Sequence, residues 1–481
     1  MDPRRLARVR SSPLRPLFVL VTLLGWPGLL AASPAAQAYV SASARASPRS
    51  GDGTRSHPYA TVSAGLASGA RTVFIARGRY PERVTLTADQ ALVGEPGAWL
   101  EGPKDGPVLT ASGGTVRGLT LTSAAPVGVR IHGTVRFEAV RLTLRGETGV
   151  RVEQGTLRWD GGRLGSADNG AAPTARTGLS LAAGAKAELS QMEVTGPFME
   201  GIVSQDAGLT LADVRVRGCA LGVRVRGGSA QLSRVRIDGG DLLGLFVGPG
   251  SLRADALVVS GHEYGVLVGQ GGDATLRAVT LSKNRRAGLA AQGGKVQVTG
   301  GVISDSGAFG GVQLSHATAD LDGLRVLRSQ GEGIALIGGE AHLHRVTVDG
   351  VTDPTGAEGE GILVRLGHAR LDNVSVSHAT GLGLFAAQAA TVTFDRLRLT
   401  DCAAGSVAAE AGASVTGKVL RLGGAAAQLI ATRQGKLQFG EVRRAPPGPL
   451  EIHCEPDAPI HIGTLTGAAA SADACLTTAA R

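Results

Sequence analysis

Glu332 and Glu360 each sit in a Gly-Glu-Gly-Ile unit, at 331–334 and at 359–362. Two carboxylates in matched units can do general acid–base work if folding stacks the units, because like charges held close raise the pKa of one of them. At the spacing of neighbouring parallel strands the pair would stand about 5 Å apart, a separation like that used by retaining glycosidases. A glutamate in a bend is also commonly just solvated, so the pair is a site only if something positions it. A second constellation is Asp322, His344, Asp372 and Asp395, with Asp320 and His342 two residues before the first two. Acid, imidazole and acid in register could hold a divalent cation, the one cofactor this sequence suggests; the plain alternative is an exposed corner with alternating charge. A third is cationic: Arg215, Arg217, Arg224, Arg226, Arg234 and Arg236 lie close in sequence with Asp213 and Asp238 beside them. Such a cluster attracts carboxylated or phosphorylated polymers unless it is an ordinary solvated face.

What could position these residues is a repeat. A Gly-apolar-x-apolar unit opens at Gly128, Gly149, Gly178, Gly201, Gly222, Gly244, Gly265, Gly288, Gly311, Gly333, Gly361 and Gly383, at intervals of about 22 residues. Further alternating stretches lie between, as in Ala230–Ile237, Ala274–Leu281 and Ala369–Val376. Each interval thus holds three short period-two segments separated by glycine-rich or small-residue bends, with no helical periodicity, which excludes helical repeat arrays. Strands that recur in one direction, at a period too short for a crossover helix, must be parallel. The all-β arrangement that satisfies this is a right-handed parallel β-helix, each coil stacked on the last at about 4.8 Å. One coil cannot bury its apolar face, but stacked coils align Val on Val and Leu on Leu in a quasi-one-dimensional core. Roughly fifteen coils give a rod of about 70 Å.

The ends of such a rod need covers. Gly51-Asp52-Gly53-Thr54, His57-Pro58-Tyr59-Ala60-Thr61-Val62, a short helical stretch to about Ser68, and Thr72-Val73-Phe74-Ile75 followed by Gly78-Arg79-Tyr80-Pro81-Glu82 resemble the opening of bacterial pectate-lyase-like β-helix proteins. The resemblance covers about Gly51 to Gly94 in motif and the rest in architecture. It implies a capping helix that feeds the first coil, and leaves function open, since that superfamily holds lyases, hydrolases, epimerases and adhesins. In families resembling polygalacturonases the catalytic acids lie in Asn-Thr-Asp, Asp-Asp and Gly-His-Gly motifs, and none of these is present. Near the other end, Cys454 and Cys475 differ by about one coil, within disulfide reach if they face each other in an oxidising compartment. Cys219 and Cys402 are about eight coils apart, roughly 38 Å, and cannot pair.

The chain opens with Arg4, Arg5, Arg8, Arg10 and Arg15 before an apolar run from Leu17 to Leu30 that Gly25-Trp26-Pro27 interrupts. Too short and broken to favour a spanning helix, and followed by Ala36-Gln37-Ala38, it reads as a cleaved signal peptide with Tyr39 as the mature start. The implied division is 1–38 signal peptide, 39–56 flexible mature N-terminus, 57–110 N-terminal cap and first coils, 111–440 β-helix coils, and 441–481 last coils and C-terminal cap. No second membrane segment follows, so the expected product is an unanchored monomer, secreted, periplasmic or at the cell surface. The net charge of +9 falls to about +5 once the leader is removed.

Two coils are longer than the rest. Their extra segments, around 166–173 and 353–358, project at one edge and suit groove walls or tolerated loop tips. The outward column of the Gly-apolar-x-apolar strand reads Arg130, Arg151, Ser180, Val203, Arg224, then Phe246, Leu267, Ala290, Gln313, Ala335, Leu363 and Phe385. A mostly apolar stripe over seven coils calls for a cover, and Phe246 and Phe385 join the arginines as candidate ligand contacts. With aromatics at 3%, single-stranded nucleic acid is a poor fit. The expected function is a non-catalytic exported β-helix that binds an acidic polysaccharide or a cell-surface component. The alternative is a polysaccharide lyase or glycoside hydrolase acting on an acidic polysaccharide.

Overall fold

The computed structural model describes residues 36–46, 51–167, 176–353, 359–424, 427–470 and 475–478. Every strand pairing in them is parallel and joins one coil to the next, giving a right-handed parallel β-helix of about 17 turns. The count exceeds fifteen because pairing begins at Gln37 and runs to Thr478, beyond the reach of the glycine repeat on both sides.

Three sheets run the length of the rod. The first stacks Val223, Leu245, Val266, Leu289, Val312, Ile334, Ile362 and Leu384 in unbroken register. The second stacks Ala230, Leu252, Ala274, Val296, Ala319, Ala341 and Ala369. The third stacks Val216, Ile237, Val259, Leu281, Ile303, Val326, Val348 and Val376. These side chains point inward and are buried, so the core is a set of like-on-like ladders.

The repeated glycine is explained by its neighbours. A Cβ at Gly222 would drive into the Ile237 side chain and the Gly244 carbonyl, and one at Gly361 into Val376 and the Gly383 carbonyl. The chain turns there so close to the third sheet and the next coil that no side chain fits. A second device bends the second strand into the third. Ala139, Gln191, Asp213, Arg234, Ala256, Ala278, Arg345 and Asn373 stack at that corner with φ between 49° and 58°. Each of these left-handed residues costs about 1 kcal/mol, which the stacked coils offset.

The N-terminal motif is a lock between helix and coil. Helix α1 (Val62–Ala67) is capped by Thr61, whose hydroxyl accepts from Ala64 N at 3.1 Å, and it turns Val62 and Leu66 onto the open end of the core. The Glu82 carboxylate accepts from Val62 N at 2.8 Å and from Ser63 N at 2.9 Å, satisfying first-turn donors. Buried Tyr80 donates to Ala76 O at 2.8 Å and accepts from Ala42 N at 3.1 Å. Within the segment expected to be flexible, residues 39–46 carry regular structure. Gln37–Val40 pairs with Thr72–Ile75, burying Ala38 and Val40, and Ala42–Ala46 forms a 3-10 turn. The Ala38–Tyr39 bond therefore lies inside a strand. At the far end, Cys454 and Cys475 form a disulfide with Cα atoms 6.0 Å apart.

Candidate functional site

The structure stacks Glu332 and Glu360 on adjacent coils: Gly333 N donates to Glu360 O at 2.9 Å, and Ile334 pairs with Ile362. Both glutamates are half-buried instead of lying in open bends. Residues 354–358 of the long loop expected above them, and 168–173 of the other insertion, lie outside the described residues.

The Asp322, His344, Asp372 column also forms in register, but its ligand atoms are used otherwise. Arg345 Nη2 donates to both Asp322 oxygens at 2.6 Å, and His344 Nδ1 meets Asp372 Oδ2 at 2.9 Å. His342 faces Asp320 at 3.8 Å, and Asp395 takes Lys418 at 2.9 Å. Among the described residues no three His, Cys, Asp or Glu side chains converge to hold a metal ion. The cation reading is thereby corrected, and its physical reason is the corner: the left-handed Arg345 sends its side chain back one coil onto Asp322.

The six arginines divide among the three sheets and their bends, and five are paired with four carboxylates. Arg215 and Arg236 share Asp238 at 3.0 and 2.9 Å, Arg224 meets Glu200 at 2.8 Å, and Arg234 makes a two-point bond to Asp213 at 2.6 and 2.7 Å. Arg217 pairs with Glu193. That bond with Arg234 holds the Asp213 carboxyl below its ordinary range. Only Arg226 has no carboxylate within pairing distance among the described residues. The cluster is therefore no free cationic patch. Glu193 and Glu200, its missing acids, are 24 residues away in sequence and one coil away in space.

The outward column follows the expected register from Arg130 to Phe385. Four of its apolar members, Val203, Ala290, Ala335 and Leu363, are already buried within the chain itself. Phe246 and Phe385, half-buried, stand six coils apart, about 29 Å by strand spacing, so they cannot meet one ligand unit together. Arg365 lies over the Phe385 ring at 6.0 Å.

One surface feature with unpaired charge was not expected from the sequence. The second sheet's outer face carries a groove of about 530 Å³. Its axial column is Thr210, Gln231, Arg253, Thr275 and Gln297, flanked by Ser233, Asp255 and Arg277. Five coils span about 19 Å along the rod. Arg253 and Arg277 are exposed and form no ion pair among the described residues. Amides, hydroxyls and two available guanidinium forks along an axis suit an extended, hydroxylated, anionic polymer. The signal in the sequence was the x of each second-strand unit, which reads Thr, Gln, Arg, Thr and Gln over five coils; it is faint because such residues also make an ordinary surface.

Inside the rod, at the turn from the third sheet to the first, Cys219, Gly240, His262, Asn284, Ser306 and Ser329 fall on successive coils. His262 N donates to Asn284 Oδ1 at 3.2 Å. His262 Nδ1 and Nε2, Asn284 Nδ2, Ser306 Oγ and Ser329 Oγ are buried with no hydrogen-bond partner. Burial pulls His262 down to about 4 and pushes the Cys219 and Cys402 thiols up to about 12 and about 11, so neither thiol is an available nucleophile.

Strand order and register make this chain a right-handed parallel β-helix. No protein-family model and no curated protein matches the sequence. Among solved structures it is similar to the Dettilon tailspike protein (TM-score 0.37, 11% identity, 75% of this chain and 66% of that one). It is also similar to a mannuronan C-5 epimerase A-module from Azotobacter vinelandii (0.26, 12%, 78% and 97%) and to an alginate lyase (0.23, 10%, 85% and 96%). The chain thus spans just under two thirds of the tailspike's length. These likenesses are too remote to carry a residue role across.

Proposed function

We propose that this is an exported protein that binds an acidic polysaccharide along the groove of its second sheet without cleaving it. The observation that carries the reading is the pairing state of the arginines: nearly every arginine of the 215–236 cluster is paired with a carboxylate, whereas Arg253 and Arg277 form no ion pair among the described residues and stand in a groove lined by hydrogen-bonding groups. A guanidinium not held in an ion pair can take a sugar carboxylate in a two-point bond, and the hydroxyls and amides between can meet ring hydroxyls, with Asp255 the one carboxylate in the groove. The test is a glycan array on the mature protein, followed by titration with the best hit. Binding to acidic polymers that Arg253→Gln with Arg277→Gln removes supports the reading; wild-type protein that retains no acidic glycan sinks it.

One observation favours a second reading, the lyase or hydrolase, and that is the stacking of Glu332 on Glu360. Reducing-sugar and unsaturated-uronate assays on any bound polymer decide between the two. Turnover abolished by both Glu332→Gln and Glu360→Gln would make the protein an enzyme.

A further inference from the structure

The largest aromatic side chains of this protein are spent inside: Trp159, Tyr80, Phe137, Phe198 and Phe439 are fully buried. Phe309 is the exception, 39% exposed, in the turn that leads from the third sheet to the first. Its backbone N donates to Arg286 O one coil before at 2.9 Å, and Ala287 pairs with Tyr264 one coil earlier again. Tyr264 and Phe309 therefore lie on alternate coils with their rings 6.5 Å apart and 29° from parallel, forming a two-ring platform. Arg286 sits over both, 6.0 Å from the Tyr264 centroid and 5.4 Å from the Phe309 centroid, held by Glu263 at 3.7 Å.

The platform's own turn supplies charge. Lys283, Arg285 and Arg286 are three exposed cations in four residues, broken only by buried Asn284. Arg285 is aimed by backbone oxygens, Gly261 O at 3.2 Å and Asp241 O at 2.5 Å. Neither Lys283 nor Arg285 pairs with a carboxylate among the described residues, and the nearby Asp305 is bonded to Arg328 at 2.7 and 3.0 Å. The groove beside them is lined by Lys283, Arg285, Ser306 and Gln330 together with that pair.

We infer that this turn is a second binding site, taking one anionic pyranose unit whose apolar face packs on the part of Phe309 that Arg286 leaves exposed and whose acid group meets Lys283 and Arg285. A sugar ring has a C–H face that packs on aromatic rings and a polar rim that needs donors, and this turn offers both within one coil spacing. The inference rests on the acidic-glycan reading above but names a different face of the rod.

The test is calorimetric titration of the whole mature chain with a galacturonate hexamer, a neutral maltohexaose and inorganic polyphosphate. Phe309→Ala should weaken the galacturonate hexamer about tenfold and leave polyphosphate unchanged, while Lys283→Gln should weaken both and maltohexaose neither. Phe309 is exposed, so its replacement is expected to leave thermal unfolding in place; Phe309→Leu, which keeps bulk and loses the ring, repeats the test without opening the turn. Galacturonate binding within twofold of wild type in both Phe309 variants overturns the platform. If the Arg253 and Arg277 replacement abolishes binding in that event, the groove reading stands alone; absence of any wild-type binding removes both.

Discussion

Two polar columns run side by side along this rod, and they meet opposite fates. At the corner between the second and third sheets the side chains point out, and Arg234 bonds Asp213 while Arg345 bonds Asp322, each reaching back one coil. At the turn between the third and first sheets His262, Asn284, Ser306 and Ser329 point in, and most of their polar atoms bond nothing. Both columns obey the same stacking; only the direction of the side chain differs. The difference teaches that a repeat fixes which residues are neighbours but not whether a neighbour is useful. Outward charges find partners cheaply, each pair contributing at most about 1 kcal/mol, while an inward polar group keeps its desolvation penalty. The second-sheet groove is a third case, outward yet unpaired, and that is why it is the candidate site.

The largest effect should come from breaking the inward column. The His262 side chain is fully buried, and its pKa falls to about 4 from an unfolded value near 6.5, so the unfolded chain binds the extra proton between those limits. Stability from this group is therefore complete above about pH 6.5 and is lost as pH falls toward 4, a swing of roughly 3 kcal/mol. His262→Leu should flatten that slope and raise the denaturation midpoint at pH 5 relative to wild type. Denaturant unfolding across pH 4 to 7 measures it. An identical slope in the variant would mean that the imidazole is solvated in the folded protein.

The next effect sharpens the outward comparison. Arg253→Gln with Arg277→Gln should lower affinity for a polyuronate about a hundredfold, equivalent to about 2.7 kcal/mol, since each lost charged bond is worth about 1.5 kcal/mol or more. Arg234→Gln with Arg236→Gln should lower it less than twofold, because those guanidinium groups already hold Asp213 and Asp238. Affinity capillary electrophoresis on the two pairs gives the contrast, and equal losses would show that net charge alone governs binding. A milder probe is Gln231→Glu, which sets a carboxylate on the strand beside Arg253; it should cost about fivefold by adding to the groove a second carboxylate, beside that of Asp255, that pairs with Arg253.

Much of the architecture was legible because period two and a glycine every 22 residues leave few alternatives. The outward column from Arg130 to Phe385 could be written down residue by residue, since a ladder has a single register once its inward members are known. The site was less legible. Glu193 and Glu200 neutralise Arg217 and Arg224 from a distance of 24 residues, and a count of nearby acids along the chain passes over them. The left-handed corner hid more: it turns Arg345 back onto Asp322, and nothing in His344-Arg345 announces that φ. Conversely Arg253 looked ordinary because it stands alone in sequence, and standing alone is what leaves it available.

The smallest effect lies at the corner itself and tests the cheapness of outward pairs. Asp213 is fully exposed, and its carboxyl is held below the ordinary value of 3.8 by the hydrogen bond from Arg234. A carboxylate whose pKa drops on folding stabilises the protein above its unfolded pKa, and the contribution vanishes as pH falls through the lower folded value. At neutral pH the pair is intact, and it is lost as pH falls below 3.8. Asp213→Asn, Arg234→Gln and the double variant should therefore show only a weak coupling at pH 7, shrinking further in high salt and in acid. A coupling several times larger at pH 7 would mean that the corner ladder, more than the apolar core, holds neighbouring coils in register.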